Sequence, residues 1–255
     1  MMAGNGLQRS RRYCRKVRSE MTGLADVAGG CCLAHVRCSV SRPLVPPAMR
    51  PRAAALLTAC VAITVILGAL LAHHTQAGPL DAAVDARVRA GLGGHPAALN
   101  RLAMLGDWLP VAVVAAALFL ACLVTRTWRG AALVAVVVPV AHALTERILK
   151  PLVGRTLPGG TASFPSGHEA RVFTLAAALA VLLVGPLRPS VPGIIRLLLA
   201  LAALAIAGAV AIALVGKGAH YFTDTVGGAA VGTAVVLATA FFLDWLVPVR
   251  QGRHG

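Results

Sequence analysis

An all-α bundle of six transmembrane helices is the fold class this sequence predicts, and three observations predict it. Hydrophobic residues make up 58% of the 255 and charged residues only 13%, with a mean hydropathy of +0.78. A soluble domain of this length needs more charge than that to cover its surface. The apolar residues, mostly Ala, Val and Leu, fall in blocks close to the roughly 20 residues that a helix needs to cross a bilayer. Finally, basic residues flank these blocks rather than interrupting them. Ten of the 24 Lys and Arg precede residue 53, ahead of the first long apolar run.

Taken in order, residues 1–52 combine Gly, Pro, Ser and Arg without apolar periodicity and are expected to form a basic, disordered N-terminal extension. Met49 opens Met-Arg-Pro-Arg directly before an apolar run, which resembles a natural protein start, so residues 1–48 are expected to lie outside the native product. The membrane domain is expected over 53–247, with spans near 53–72, 108–125, 130–149, 168–186, 196–215 and 224–247. A short tail, 248–255, follows. The first apolar stretch exceeds that of a cleaved signal peptide and reads as a signal-anchor helix. Between the first two spans, the segment 73–107 mixes Pro79, the run Gly91-Leu92-Gly93-Gly94, and the charges Asp81, Asp85, Arg87 and Arg89. It predicts a short amphipathic helix at the membrane interface.

Loop charge gives the orientation. With the N-terminus inside, the inner connections carry Arg126 and Arg129, then Arg188 and Arg196, and the tail carries Arg250 and Arg253. Positive-inside is satisfied, which places both termini in the cytoplasm of what reads, from its Ala- and Arg-rich composition, as a bacterial plasma membrane protein. The net charge of +15 does not point to nucleic acid, because aromatic residues are scarce and no basic-aromatic interleaving exists for stacking bases. The six cysteines show no paired CxxC and imply no zinc site. One set of cations remains on the outer side: Lys150, Arg155 and Lys217.

Three outer segments concentrate polar residues. The first is Lys150-Pro-Leu-Val-Gly-Arg155-Thr-Leu-Pro158, the second Phe164-Pro-Ser166-Gly167-His168-Glu169, and the third Lys217-Gly-Ala-His220-Tyr-Phe-Thr-Asp224. Ser166 with Glu169 fits a capping box that would place His168 in the first turn of a helix. A helix start offers free N–H groups and a positive dipole end to an anion, and Gly167 lets that anion approach the backbone. His220 and Asp224, four apart, share one helix face, so the carboxylate can steady the imidazole. Lys150, Arg155 and Lys217 would offset charge on phosphoryl oxygens. His142 and Glu146, also four apart, sit in the last turns before Lys150 and are expected to support that lysine. Gly228 and Gly232 are expected to permit close helix packing.

In this order, Lys150…Pro158, Pro165-Ser166-Gly167-His168 and His220-x-x-x-Asp224 resemble the three signature motifs of the type 2 phosphatidic acid phosphatase (PAP2) superfamily. The resemblance implies a six-span bundle of the PAP2 type and hydrolysis of a lipid phosphate or diphosphate, with no cofactor and no metal. It implies that His220 is the nucleophile, His168 the general acid, and Asp224 the support of the nucleophile, with Lys150, Ser166 and Gly167 at the phosphate. Two departures stand out. Leu157 occupies the place of the arginine before the closing proline of the first motif, and Arg155, two positions earlier, is its expected substitute. Ala213 and Leu214 stand where the third motif has Ser-Arg, which leaves Lys217 and Arg171 as the neighbouring cations. An outer-facing site favours a polyprenyl diphosphate; phosphatidate and phosphatidylglycerol phosphate are alternatives. The competing expectations are a lipid head-group binder, a proton-coupled transporter that uses His142 and Glu146, and a phosphotransferase.

Overall fold

The computed structural model describes residues 43–188 and 190–246. The expected disordered extension up to residue 42 and the expected tail at 248–255 lie outside the described residues. A 3-10 turn at Pro47–Met49 leads into α1, Arg50–Leu70. Two shorter helices follow, α2 (Pro79–Leu92) and α3 (Pro96–Met104), then α4 (Trp108–Val124). Helix α5, Trp128–Ala143, continues through a π-helical stretch, Leu144–Leu149, into a last turn, Lys150–Val153. Then come α6 (Gly167–Val184), α7 (Gly193–Gly216) and α8 (Phe222–Leu246). The starts of α1, α2 and α3 each carry a proline in the first turn, where the missing N–H costs no hydrogen bond. Extended pairing among the described residues is confined to one isolated bridge, Thr156 with Ala162.

Among the described residues, five helices are long and apolar enough to cross a membrane: α1, the whole of Trp128–Val153, α6, α7 and α8. The sixth expected span is less regular. Helix α4 is joined to α3 across a bend of 42°, and the two make a sixth span only if the bent pair is taken as one. Leucines and valines line the outside of α1, α4 and α7, with Leu70 65% and Leu109 76% exposed. Apolar residues on that scale facing outward need lipid, not water, around them. The chain is a multi-pass integral membrane protein.

Helix α8 is the central packing element. It lies against α6, α1 and α5, while α6 also packs on α5 and α7. Gly228 sits over the Ser166 carbonyl and the Glu169 side chain, and Gly232 over the Ala170 carbonyl and Thr174. The Gly228-x-x-x-Gly232 face therefore lets the α6 backbone come close, as the spacing predicts. That approach also fixes the starts of α6 and α8 side by side.

Two boundaries differ from expectation. The segment after α1 forms two helices, not one interfacial helix, and α2 turns two carboxylates inward: Asp81 and Asp85 are each 1% exposed. At the N-terminal edge, packed structure is already present before residue 53. Leu44 and Val45 are buried, and their N–H groups donate to Asp244 Oδ1 and Oδ2 at 2.8 and 2.9 Å. Asp244 lies at the far end of α8 and also faces Arg129 at 3.4 Å. Asp244→Ala is expected to destabilise the protein by about 1–3 kcal/mol for each donor left unpaired. Thermal unfolding in detergent measures it.

Candidate active site

The end of α5 and the starts of α6 and α8 meet at one end of the bundle. Helix α5 stops at Gly154, whose φ of 62° is the left-handed conformation that ends helices at little cost in glycine. The chain after α1 is tied to this point, since His73 N–H donates to the Val153 carbonyl at 2.8 Å and Thr156 N–H to the His74 carbonyl at 3.1 Å. The start of α6 is tied to the start of α8 by the Ser166 N–H, which donates to the Asp224 carbonyl at 2.9 Å. The Ser163 N–H, donating to the Arg155 carbonyl at 2.9 Å, joins the first polar segment to the approach to α6.

His168 and His220 face one another across this junction, with ring centroids 6.5 Å apart and ring planes at 61°. The two environments differ. The His220 side chain is 10% exposed, and its Nδ1 stands 3.7 Å from Asp224 Oδ2, within ion-pair range but longer than a hydrogen bond. The His168 side chain is 35% exposed, and its Nε2 is bonded to Asp107 Oδ1 at 2.9 Å. Asp107 precedes α4 at its N-cap position, yet its side chain makes no capping bond there. It reaches across to the histidine instead. The bend between α3 and α4 places it to do so.

Behind His220 lies a buried ionic chain. Arg155 is fully buried and donates from Nη1 to Asp224 Oδ1 at 2.6 Å and from Nη2 to Asp81 Oδ2 at 2.5 Å. Its Nη1 also bonds Thr223 Oγ1 at 2.7 Å, and the guanidinium covers the Tyr221 ring at 4.3 Å. Asp81 accepts from the Thr223 N–H at 2.8 Å, and Asp85 from the Phe222 N–H at 3.2 Å. The two carboxylates of α2 thus satisfy the open N–H groups at the start of α8, favoured by its dipole. Burial pushes the Asp85 carboxyl up, opposed by the Phe222 N–H bond. Asp224 Oδ2 takes the Tyr221 N–H at 3.0 Å. One guanidinium therefore fixes the position of the carboxylate that faces His220.

The expected phosphate ligands divide into two groups. Ser166, Gly167 and Lys150 lie at the histidine pair. Ser166 is the N-cap of α6, its Oγ accepting from the Glu169 N–H at 3.4 Å. The reciprocal half of the capping box is not made, because the Ser166 N–H serves Asp224 and both Glu169 carboxylate oxygens are buried without a partner. Lys150 Nζ is held by Glu146 at 2.8 and 2.9 Å, as the support reading of Glu146 anticipates. Arg155 and Lys217 are placed elsewhere. Arg155 lies behind Asp224, with both terminal nitrogens committed to carboxylates, so it does not take the place of the absent motif arginine. Lys217 is exposed and donates to Asn100 Oδ1 of α3 at 2.6 Å. Leu157 is folded into a tight loop, its N–H on the Thr161 carbonyl. Ala213 and Leu214 are buried in an apolar cluster with Leu99, Ala103 and Val172.

Sequence reasoning missed Asp81 and Asp107 as parts of this constellation. Asp81 and Asp85 share a face of α2 at a spacing of four, a legible signal, but only Asp85 has a partner within its own segment, Arg89 at 3.2 Å. Asp107 carried no signal beyond standing before an apolar run.

Residues 142–247 match the sequence model of the PAP2 superfamily. No curated protein matches the chain. Among solved structures, the fold is similar to the crystal structure of the first transmembrane PAP2 type phosphatidylglycerolphosphate phosphatase from Bacillus subtilis, with a TM-score of 0.57 and 21% identity, over 76% of this chain and 98% of that one. The segment that carries all three motifs is therefore similar to the PAP2 superfamily, and it is set in a helical membrane fold similar to that of a phosphatase of this type.

Proposed function

We propose that this protein is a phosphatase that hydrolyses a lipid phosphate or polyprenyl diphosphate at the extracytoplasmic membrane face, through a phosphohistidine on His220 and without a metal ion. The observation that carries the reading is the facing histidine pair with an acidic partner on each ring. With ring centroids 6.5 Å apart, the two imidazoles border one gap in which His220 can face a phosphorus while His168 faces its leaving oxygen. The site opens at the end of a lipid-facing bundle, so a lipid can present its head group while its tail stays in the bilayer.

The chemistry follows from the two environments. With Nδ1 turned to Asp224, His220 keeps Nε2 for attack on phosphorus, and the carboxylate stabilises the positive charge that forms on the ring. The bond from phosphorus to the leaving oxygen breaks as that oxygen takes a proton from His168. His168 has Nε2 held by Asp107, which leaves Nδ1 to deliver the proton. In the second step His168, now neutral, takes a proton from water as the water oxygen bonds to phosphorus. The N–P bond breaks, and inorganic phosphate leaves. Lys150, Ser166 and the N–H groups at Gly167 offset the charge on the phosphoryl oxygens.

Phosphate release from a panel of lipid phosphates by detergent-purified protein, with EDTA present, tests the reading. Polyprenyl diphosphate, phosphatidate and phosphatidylglycerol phosphate form the panel, and the polyprenyl diphosphate is the preferred substrate. Release that stops in EDTA, or that is the same in wild type and His220→Ala for every lipid, contradicts it. Adding acceptor alcohols separates hydrolysis from phosphotransfer, which would yield phosphorylated alcohol.

A further inference from the structure

The cation set of this site differs from the family pattern, since Leu157 and Leu214 stand where arginines are expected. Another buried cation lies one turn into α6. Arg171 is 6% exposed, anchored by Nε and Nη2 to the Gly106 carbonyl at 3.0 and 2.8 Å and by its guanidinium against the Trp108 ring at 5.0 Å. The remaining nitrogen, Nη1, is aimed at the start of its own helix. A β-carbon placed on Gly167 would lie 3.6 Å from Arg171 Nη1, and it would overlap Glu146 Oε1. The space above Gly167 therefore holds a carboxylate, gripped by Lys150 at 2.8 and 2.9 Å, beside Arg171 and next to the catalytic-pair residue His168. An anion between a lysine and an arginine at the start of a helix is the arrangement expected for phosphate. Glu146 keeps access to the outside, with its side chain 30% exposed. It rides on the π-helical stretch Leu144–Leu149, a helix form that often accompanies functional sites.

We propose that Arg171 completes the phosphate cradle with Lys150 and Gly167, and that the Glu146 carboxylate is a resident anion which the substrate's phosphate displaces. The inference rests on the phosphatase reading for the identity of the incoming anion only. Substrate binding then exchanges one anion for another, so the cations never lose their counter-charge. The cost is competition, because the resident carboxylate must leave before phosphate can enter.

The test is the affinity for inorganic phosphate, measured by calorimetry on the full-length protein carrying His220→Ala, where turnover plays no part. In that background Glu146→Gln is expected to tighten phosphate binding by about tenfold, as one competing negative charge is removed. Arg171→Lys is expected to weaken it by about tenfold, because the anchored fork is lost. Phosphate affinity that is unchanged or weaker in Glu146→Gln overturns the proposal and leaves Glu146 as a brace for Lys150. Affinity unchanged in Arg171→Lys overturns it as well, and that variant decides alone if Glu146→Gln does not fold. Tighter binding in Glu146→Gln, together with no lipid phosphate hydrolysed by the wild type, would support the cradle and count against the phosphatase reading alone.

Discussion

His220→Ala is expected to reduce phosphate release by about 10⁴-fold or more, because it removes the nucleophile of the proposed mechanism. Its effect on folding should be small. The His220 Nδ1 is buried without a hydrogen bond, so removal of the ring leaves no polar partner stranded. His168→Ala is expected to lose less, about 10²–10⁴-fold, the range for loss of a general acid. The deficit should shrink for a substrate with a good leaving group, such as an aryl phosphate, which departs without a proton. Initial rates on a lipid phosphate and on an aryl phosphate, for both variants, check this pattern. Equal deficits of His168→Ala on the two substrates would remove His168 from the acid role.

Arg155→Met is expected to prevent accumulation of folded protein. Breaking a buried ionic network from one side costs about 3–5 kcal/mol, and here one substitution strands two carboxylates, Asp81 and Asp224, 1% and 0% exposed. Total stability is on the order of 5–15 kcal/mol, so the loss is large. Arg155→Lys is not a conservative alternative, since a single ammonium cannot present two nitrogens in a fixed fork to two carboxylates. Expression yield and thermal unfolding in detergent measure the effect. If Arg155 were instead a ligand of the phosphate, Arg155→Met would fold with wild-type stability and show a raised KM alone. That result would contradict the placement of this residue behind His220.

Most of the fold was legible because a bilayer imposes simple rules. A helix must be long and apolar to cross, and its charged ends must lie outside, so block length and loop charge carry the information. The glycine pair of α8 was legible for the same kind of reason, since only a residue without a side chain permits so close an approach of α6. The irregular parts were not. Nothing local in the sequence marks the bend at Leu105–Asp107, because it serves a partner, His168, about sixty positions away. The partners of Arg155 were not legible on similar grounds. A basic residue near a motif looks like a ligand for substrate, and only its distance in space from Asp81 and Asp224 reveals that carboxylates from two other segments already hold it. The histidine pair itself was readable, because the local patterns around each ring, the capping serine and the aspartate four residues on, are carried within a few positions of it. Long-range pairing of single charges leaves no such trace.

The most direct measurement of the central claim is trapping of the covalent intermediate. Wild type and His168→Ala should be quenched during turnover of a ³²P-labelled lipid phosphate, and the protein then separated from lipid. The account predicts label on the protein that survives alkali and is lost in acid, mapped to the peptide containing His220. It also predicts greater label in His168→Ala with an aryl phosphate, where hydrolysis of the intermediate lacks its base, and none in His220→Ala. Label that persists in His220→Ala, or turnover by the wild type with no alkali-stable label at all, would contradict a phosphohistidine at this position.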